Sequence, residues 1–216
     1  PEGLDHRLQF AGQPVHHDAG TLAGVLHDDH ALAGRALARQ RGWPRLKGHE
    51  AGASTVREVV RYCRDAGVRF LTLYAFSTEN WARPAEEVSG LMRLLRVHLR
   101  EQTPELHRHR LRLRVIGCRE HLPATVRREI GRLERATAGH EAGQLILALS
   151  YGGRAELARA ARLIAARVAR GELDPREIGE ETVAAHLYAP DVPDPDLVIR
   201  TSGEMRISNF LLWQIA

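Results

Sequence analysis

From about residue 50 onward, segments with helical spacing of apolar residues alternate with short apolar runs of strand length. The run Phe70–Phe76 carries almost no charge, as expected for a strand that is covered on both faces. The segment before it has a helical apolar stripe at Val56, Val59, Val60 and Cys63, and Gly67 ends it. This alternation predicts an α/β fold with a mainly parallel sheet and helices on both faces.

The later elements follow the same alternation. Pro84 predicts a helix start, and the stripe that follows it is Val88, Leu91, Met92, Leu95 and Leu99. Further strands are predicted at Leu111–Ile116, Gln144–Leu149 and Leu197–Arg200, and further helices near residues 123–136, 155–170 and 177–187. No linker divides these segments, so residues 38–216 are predicted to form one domain.

Residues 1–37 form an atypical amino-terminal segment. They hold five of the twelve histidines and show no sustained period apart from a short apolar run at Thr21–Leu26. The tract His27–His30 suits either a metal site or a solvated loop, and the loop is favoured because no further cluster lies at ligand spacing.

Composition excludes several classes of protein. Hydrophobic residues make up 44% and charged residues 27% of the 216 residues, which are ordinary values for a globular chain. No apolar stretch approaches the roughly 18 residues of a bilayer span, and no signal-peptide pattern opens the sequence, so a cytoplasmic location is expected. Cys63 and Cys118 form no C-x-x-C pair and are expected to be reduced and structural.

The net charge of +4 would suit nucleic acid, an anionic surface or phosphorylated metabolites. No nucleic-acid-binding motif accompanies it, and a nucleic-acid partner is not expected. Nucleotide-binding fingerprints are also absent, because Gly152-Gly153 is too short for a G-x-G-x-x-G loop.

Polar loops follow three predicted strands, at the edge where an open α/β sheet binds its ligands. These loops, residues 77–84, 150–154 and 200–210, all carry arginine. The guanidinium fork matches phosphate oxygens, so the pattern predicts a phosphate or diphosphate ligand. The alternative is that these arginines form surface salt bridges. Upstream, Arg45 and His49 precede a predicted helix, whose first N–H groups favour anions.

Five blocks of the sequence resemble the cis-prenyltransferases, the undecaprenyl diphosphate synthase family of bacteria. They are GWPRLKGHEAG (42–52), FLTLYAFSTENWARPAEEV (70–88), LRVIG (113–117), ALSYGGRAEL (148–157) and PDLVIRTSGEMRISNFLLWQIA (195–216). The resemblance is nearly continuous from about Ala38, and its STENW and RTSGE-x-R-x-SNF blocks are the most specific.

The resemblance implies an enzyme that condenses isopentenyl diphosphate with an allylic diphosphate, commonly farnesyl diphosphate, to make a cis-polyprenyl diphosphate. Positions that hold isopentenyl diphosphate are matched by Arg200, Arg206, Ile207 and Ser208. Positions around the allylic substrate are matched by Arg45, His49 and Arg83. The central loop is matched by Ser77, Thr78, Glu79, Asn80 and Trp81, and its asparagine, Asn80, is implied to take part in proton removal.

Magnesium, a homodimer and peripheral membrane contact through the lipid product are also implied. A long apolar tunnel would hold the product, and the stripe Val88–Leu95 with Leu145 and Leu147 would either line it or form ordinary core.

Two departures from the family pattern concern the metal. The D-G-N-x-R-W block of the family, which supplies a magnesium ligand, is replaced by Leu32, Ala33, Gly34 and Leu37 at the matching positions. Family chains also continue past the position of Ala216 with a second metal-binding glutamate. The residues that would bind magnesium are therefore unknown. Asp28 is one substitute for the missing aspartate. Weak condensation activity is expected. A catalytically silent partner subunit is the alternative function.

Overall fold

A five-stranded parallel sheet organises the part of the chain that the computed structural model describes, residues 21–25, 56–200 and 208–216. The strands, in the spatial order β3-β4-β2-β1-β5, are β1 (Thr21–Val25), β2 (Phe70–Ser77), β3 (Leu111–Ile116), β4 (Gly143–Tyr151) and β5 (Leu197–Arg200). Every pairing is parallel, so all five carboxyl ends lie at one edge, the carboxyl edge. The opposite edge is the amino edge.

Helices connect the strands and run back from the carboxyl edge to the amino edge. They are α1 (residues 56–65), α2 (Ala85–Glu101), α3 (Thr103–Arg108), α4 (Ala124–Thr137), α5 (Gly153–Ala169) and α6 (Glu180–Ala184), with short 3-10 helices at Thr78–Ala82, Arg119–His121 and Pro175–Glu177. The predicted α/β class is confirmed. The helix predicted near residues 177–187 is wrong in length, because a 3-10 turn and α6 divide the region.

One face of the sheet is covered by α2 and α4. Met92 and Leu99 of α2 and Ile130 and Leu133 of α4 are buried with Leu113 of β3 in one cluster. The helical stripe predicted after Pro84 therefore forms this packing surface. Cys63 packs beside a second cluster under α1, and burial raises the pKa of its thiol. Both cysteines are free thiols.

The other face carries an aromatic cluster beside α5. The Tyr74 and Phe210 rings stack at a centroid distance of 4.7 Å, and Tyr151 meets both edge-on. Glu156 of α5 accepts hydrogen bonds from the Tyr151 hydroxyl and, at 2.8 Å, from the backbone N–H of Tyr188. This carboxylate therefore ties α5 to the sheet. No helix in the described part of the chain is both long and apolar enough to cross a bilayer.

Gly117 follows the last residue of β3 and packs closely against the end of β4. Its φ is +113°, and a Cβ there would lie 2.1 Å from the Leu149 carbonyl oxygen. We expect Gly117→Ala to lower the free energy of unfolding by about 2 kcal/mol, because left-handed strain and overlap add. Gly67→Ala is the control, since its φ is +79° but nothing lies within 4 Å, and it should cost about 1 kcal/mol. Urea unfolding measures both, and equal losses would contradict the overlap.

Candidate active site

The loop after β2 is held by its own side chains. Asn80 is 4% exposed, and its Oδ1 accepts a hydrogen bond from the Ser77 backbone N–H at 3.0 Å. Ser77 accepts in return from the Asn80 backbone N–H, which forms a capping box around the 3-10 helix. The loop therefore presents a fixed backbone at the carboxyl edge.

Trp81 joins this loop to the end of β4. Its Nε1 donates to Ser150 Oγ at 2.8 Å, and its ring meets Phe76 edge-on at 4.9 Å. Ser150 adopts a left-handed φ of 49°, and the register between β2 and β4 shifts here. This bulge turns the Ser150 hydroxyl toward Trp81 and the Tyr151 ring toward the other face.

Glu79 reaches a segment 130 residues away. Its Oε1 accepts from Asn209 Nδ2 at 2.7 Å. Burial raises the pKa of Glu79, but hydrogen bonds from Asn209, from its own backbone and from Ser77 and Thr78 outweigh burial and hold the pKa below its usual value. Glu79 is therefore a carboxylate at neutral pH and fixes the Asn209 amide.

Asn209 also binds the backbone where the loop after β4 meets α5. Its Oδ1 accepts from the Arg154 backbone N–H at 2.8 Å, and its backbone carbonyl accepts from Gly153 N–H at 2.8 Å. A Cβ on Gly152 would lie 2.6 Å from Asn209 Nδ2 and 2.7 Å from Thr78 Oγ1. Gly152 and Gly153 thus allow the loop after β2, the loop after β4 and the segment around Asn209 to meet at the carboxyl edge.

Arg200 and Ser208 lie next to this meeting point. Arg200 ends β5, and its Nη1 donates to Ser208 Oγ at 2.7 Å. Ser208 precedes Asn209, so hydrogen bonds lead from Arg200 through residues 208–209 to Glu79 in the loop after β2. Since β2 and β5 are parallel to the β1 between them, Arg200 and Asn80 lie at one edge of the sheet.

Arg83 is held by α2. Its Nη1 donates to Glu87 Oε1 at 3.2 Å, and the two side chains are 12% and 8% exposed. The salt-bridge alternative thus applies to Arg83. The ion pair with Glu87 does not prevent Arg83 from binding a ligand, because a guanidinium has five N–H donors.

Several apolar side chains between the sheet and helices α1 and α2 are only partly buried. Leu145 and Leu147 are on β4, an interior strand of the sheet, and pack against the clusters under α1 and α2. Val88, Leu91 and Leu95 are also partly buried, whereas Met92 is 5% exposed and belongs to the core.

No group of three or more His, Cys, Asp or Glu among the described residues is placed to hold a metal ion. Glu79 is one carboxylate at the carboxyl edge, and alone it does not suit Mg²⁺, which requires several oxygen ligands. The described residues by themselves therefore do not fit a magnesium site. Four predicted substrate-binding residues, Arg45, His49, Arg206 and Ile207, lie outside the described residues, as do Asp28 and His27–His30.

Asn209 and Ser150 are site residues that sequence reasoning missed, and Glu156 is a buried structural residue that it also missed. Asn209 and Ser150 stand inside the blocks SNF and ALSYGG, so their position among motif residues was an available signal. Glu156 follows Tyr151 by five residues, and only the fold brings the two side chains together.

Comparison with known proteins extends these observations. A model of the undecaprenyl diphosphate synthase family matches residues 34–216. An isoprenyl transferase of Brucella abortus is 49% identical over 179 residues, which cover 83% of this chain and 70% of that protein. An isoprenyl transferase of Heliobacterium mobile is 48% identical over 179 residues, covering 83% of this chain and 69% of that protein.

A solved structure shows the same fold. The lavandulyl diphosphate synthase of Lavandula x intermedia, in complex with dimethylallyl diphosphate, is 33% identical with a TM-score of 0.85, covering 91% of this chain and 83% of that one. These relatives carry names of enzymes, which favours catalysis over the silent-subunit alternative. The chain therefore belongs to the undecaprenyl diphosphate synthase family and is a prenyltransferase.

Proposed function

We propose that this prenyltransferase condenses isopentenyl diphosphate with an allylic diphosphate and so lengthens a cis-polyprenyl diphosphate. The observation that carries the proposal is the hydrogen-bonded line from Arg200 through Ser208 and Asn209 to Glu79. This line links a guanidinium suited to a diphosphate with the polar loop that follows β2.

In the reaction, the C1–O bond of the allylic substrate breaks and pyrophosphate leaves with the electron pair. The double bond of isopentenyl diphosphate attacks C1, and a proton is lost from C2 of that substrate. The chain's residues would hold two anions whose charges repel each other, in the orientation that this attack needs. We assign Arg200 and Ser208, with Arg206 and Ile207, to isopentenyl diphosphate.

The loop after β2 would face the reacting carbons. Asn80 is a buried residue of this loop and is fixed through Ser77, which suits a group that must be positioned close to a transferred proton. We assign Arg83, with Arg45 and His49, to the allylic diphosphate. Ser77, Thr78, Glu79 and Trp81 would shape the cleft between the two substrates.

Leu145 and Leu147, with Val88, Leu91 and Leu95, would line the path of the growing tail. Leu145 and Leu147 pack between the sheet and helices α1 and α2 and are only partly buried. Apolar side chains that stay partly buried on an interior strand suit a hydrocarbon ligand.

Magnesium and a homodimer belong to the proposal through the family resemblance. Magnesium would neutralise the leaving pyrophosphate, and none of the assignments above depends on it. Isothermal titration of the chain with Mg²⁺ and an allylic diphosphate, repeated with Asp28→Ala, tests magnesium binding.

Sedimentation equilibrium tests whether the chain forms a homodimer. A cytoplasmic location stays a prediction.

Arg200→Ala tests the assignment of the isopentenyl diphosphate site. We expect its dissociation constant to rise about 30-fold, equivalent to about 2 kcal/mol for a lost charge-assisted contact. Calorimetry with isopentenyl diphosphate measures the change. Arg176→Ala removes the same charge from an 89% exposed side chain paired with Asp174, and its affinity should be unchanged. Equal affinity in all three proteins would remove Arg200 from the site.

A further inference from the structure

Ser150 adopts a backbone conformation that serine does not favour. Its φ is 49°, in the left-handed region, and the residue is 1% exposed. The residues on either side of it in β4, Leu149 and Tyr151, pair with consecutive residues of β2, so Ser150 is the extra residue of the bulge. Strain of this kind persists only where the surrounding structure fixes it, and it is concentrated at functional sites. The contacts of Ser150 therefore indicate what its conformation supports.

Two neighbouring loops hold Ser150. In the loop after β3, the Cys118 backbone N–H donates to the Ser150 carbonyl oxygen at 3.1 Å. In the loop after β2, Trp81 Nε1 donates to Ser150 Oγ at 2.8 Å. The first contact would form with any residue at this position, whereas the second requires the hydroxyl. Since a left-handed φ by itself favours glycine, the hydroxyl is what serine adds here.

The Ser150 hydroxyl is a polar partner for a largely apolar ring. An indole N–H is a donor only, and it needs an acceptor when it is taken out of water. The Trp81 ring meets Phe76 edge-on at 4.9 Å and His121 edge-on at 6.4 Å. Phe76 is 4% exposed and belongs to the core. The hydrogen bond to Ser150 therefore fixes the orientation of the indole against a rigid neighbour.

Trp81 connects the loop after β2 with the apolar cluster under α2. It packs against the same cluster as Val88, Leu91 and Leu145 and, like them, is only partly buried. It also belongs to the 3-10 helix at the carboxyl edge, where the proposed function places both diphosphates. On that function, on which this inference rests, the ring would contact the hydrocarbon of the allylic substrate close to its diphosphate.

We propose that Ser150 is a positioning residue for the condensation, whose hydroxyl holds the Trp81 indole against the allylic substrate. Ser150 contacts no reacting atom in this proposal and acts only through Trp81. Its left-handed backbone places the hydroxyl where the indole N–H reaches it. A displacement of about 1 Å in a positioning group can lower a reaction rate about 100-fold, so the orientation of the ring matters for the rate.

Ser150→Gly tests the proposal, because it removes the hydroxyl and also relieves the left-handed strain. These two changes have opposite effects on stability, so the urea midpoint should stay close to that of the unmodified chain. The dissociation constant of farnesyl diphosphate, measured by calorimetry with Mg²⁺ and without isopentenyl diphosphate, should rise about fivefold, the scale of one aromatic contact. The single-turnover rate of condensation should fall about tenfold or more. Hydrogen exchange of the Trp81 indole proton, followed by NMR, should become faster.

Thr137→Val is the matched control. Thr137 is 0% exposed, ends α4 near the amino edge, and accepts from Leu113 N–H at 3.0 Å through Oγ1, so this variant also loses a buried hydroxyl acceptor. It should lower the urea midpoint and leave the dissociation constant and the rate within about twofold of normal. The control thereby separates stability from substrate positioning.

A double-mutant cycle tests whether Ser150 acts through Trp81. Trp81→Phe keeps an aromatic ring and removes the indole N–H, so adding Ser150→Gly to it should cause no further change in affinity or rate. An equal loss from Ser150→Gly in both backgrounds would overturn the route through Trp81.

Two other results would overturn the proposal: normal farnesyl diphosphate affinity and normal rate in Ser150→Gly, or losses in Thr137→Val that match those in Ser150→Gly. Either result removes this inference alone and leaves the proposed function standing. An unmodified chain that binds no farnesyl diphosphate would instead refute the proposed function, and this inference with it.

Discussion

Asn80→Ala is expected to lower the single-turnover rate of condensation at least 100-fold while the isopentenyl diphosphate affinity changes little. The substitution removes the amide from the loop after β2 and leaves the Ser77 N–H without its 3.0 Å acceptor. Loss of a positioned group in proton transfer typically costs about 10²- to 10⁴-fold. Single-turnover incorporation of labelled isopentenyl diphosphate gives the rate.

Asn80→Asp is the matched control, because it keeps an oxygen acceptor for Ser77 N–H and removes the amide N–H donors. We expect its melting temperature to fall, because a carboxylate replaces a neutral amide at a 4% exposed position, and its rate to stay close to that of Asn80→Ala. Full activity in Asn80→Asp would show that the amide N–H donors are not required and that an oxygen acceptor at this position is sufficient. An Asn80→Ala rate within tenfold of normal would exclude the catalytic assignment altogether.

Glu156→Ala is expected to destabilise the fold by about 4 kcal/mol, since it strands several buried donors. Glu156 is 1% exposed and accepts from the Tyr151 hydroxyl, from Tyr188 N–H and from Gln214 Nε2. Burial and the neighbouring carboxylate raise the pKa of Tyr151 well above its usual value, so the hydroxyl remains a donor. Urea unfolding followed by tryptophan fluorescence measures the loss.

Glu156→Gln keeps the volume and one oxygen acceptor, and should recover at least half of the lost stability. Glu172→Ala, an exposed carboxylate on Arg170, controls for the loss of an acidic group and should be nearly neutral. A Glu156→Ala protein as stable as the unmodified chain would show that the hydrogen bonds at this carboxylate contribute nothing net.

Strands and helices were predictable wherever burial imposes a period. β2 is buried on both faces at Leu71, Thr72, Leu73 and Tyr74, which explains its uncharged sequence. The α2 stripe follows from packing on one face of the sheet. The region near residues 177–187 was predicted less well, because it lies at the surface and a propensity alone does not fix helix length there.

The sequence predicts at which edge of the sheet the site lies, but not which side chains contact each other there. Parallel strands place Arg200 and the loop after β2 at the same edge. The bulge at Ser150 depends on one left-handed residue that no local pattern marks, since serine has no preference for φ of 49°. The bond between Glu79 and Asn209 joins residues 130 apart, and such pairs follow from tertiary structure alone.

Asn209 lies 130 residues after its partner Glu79 in the sequence, so the site can form only late in the synthesis of the chain. A ribosome releases the loop after β2, then Gly152-Gly153, and only much later residues 208–214, which bring Asn209 to Glu79 and Gln214 to Glu156. Contacts of such long sequence separation form late. A nascent chain therefore carries helices α1–α6 and strands β1–β5 before it can bind a diphosphate. Protection of the chain by substrate against proteolysis should begin abruptly when the 208–214 segment clears the exit tunnel.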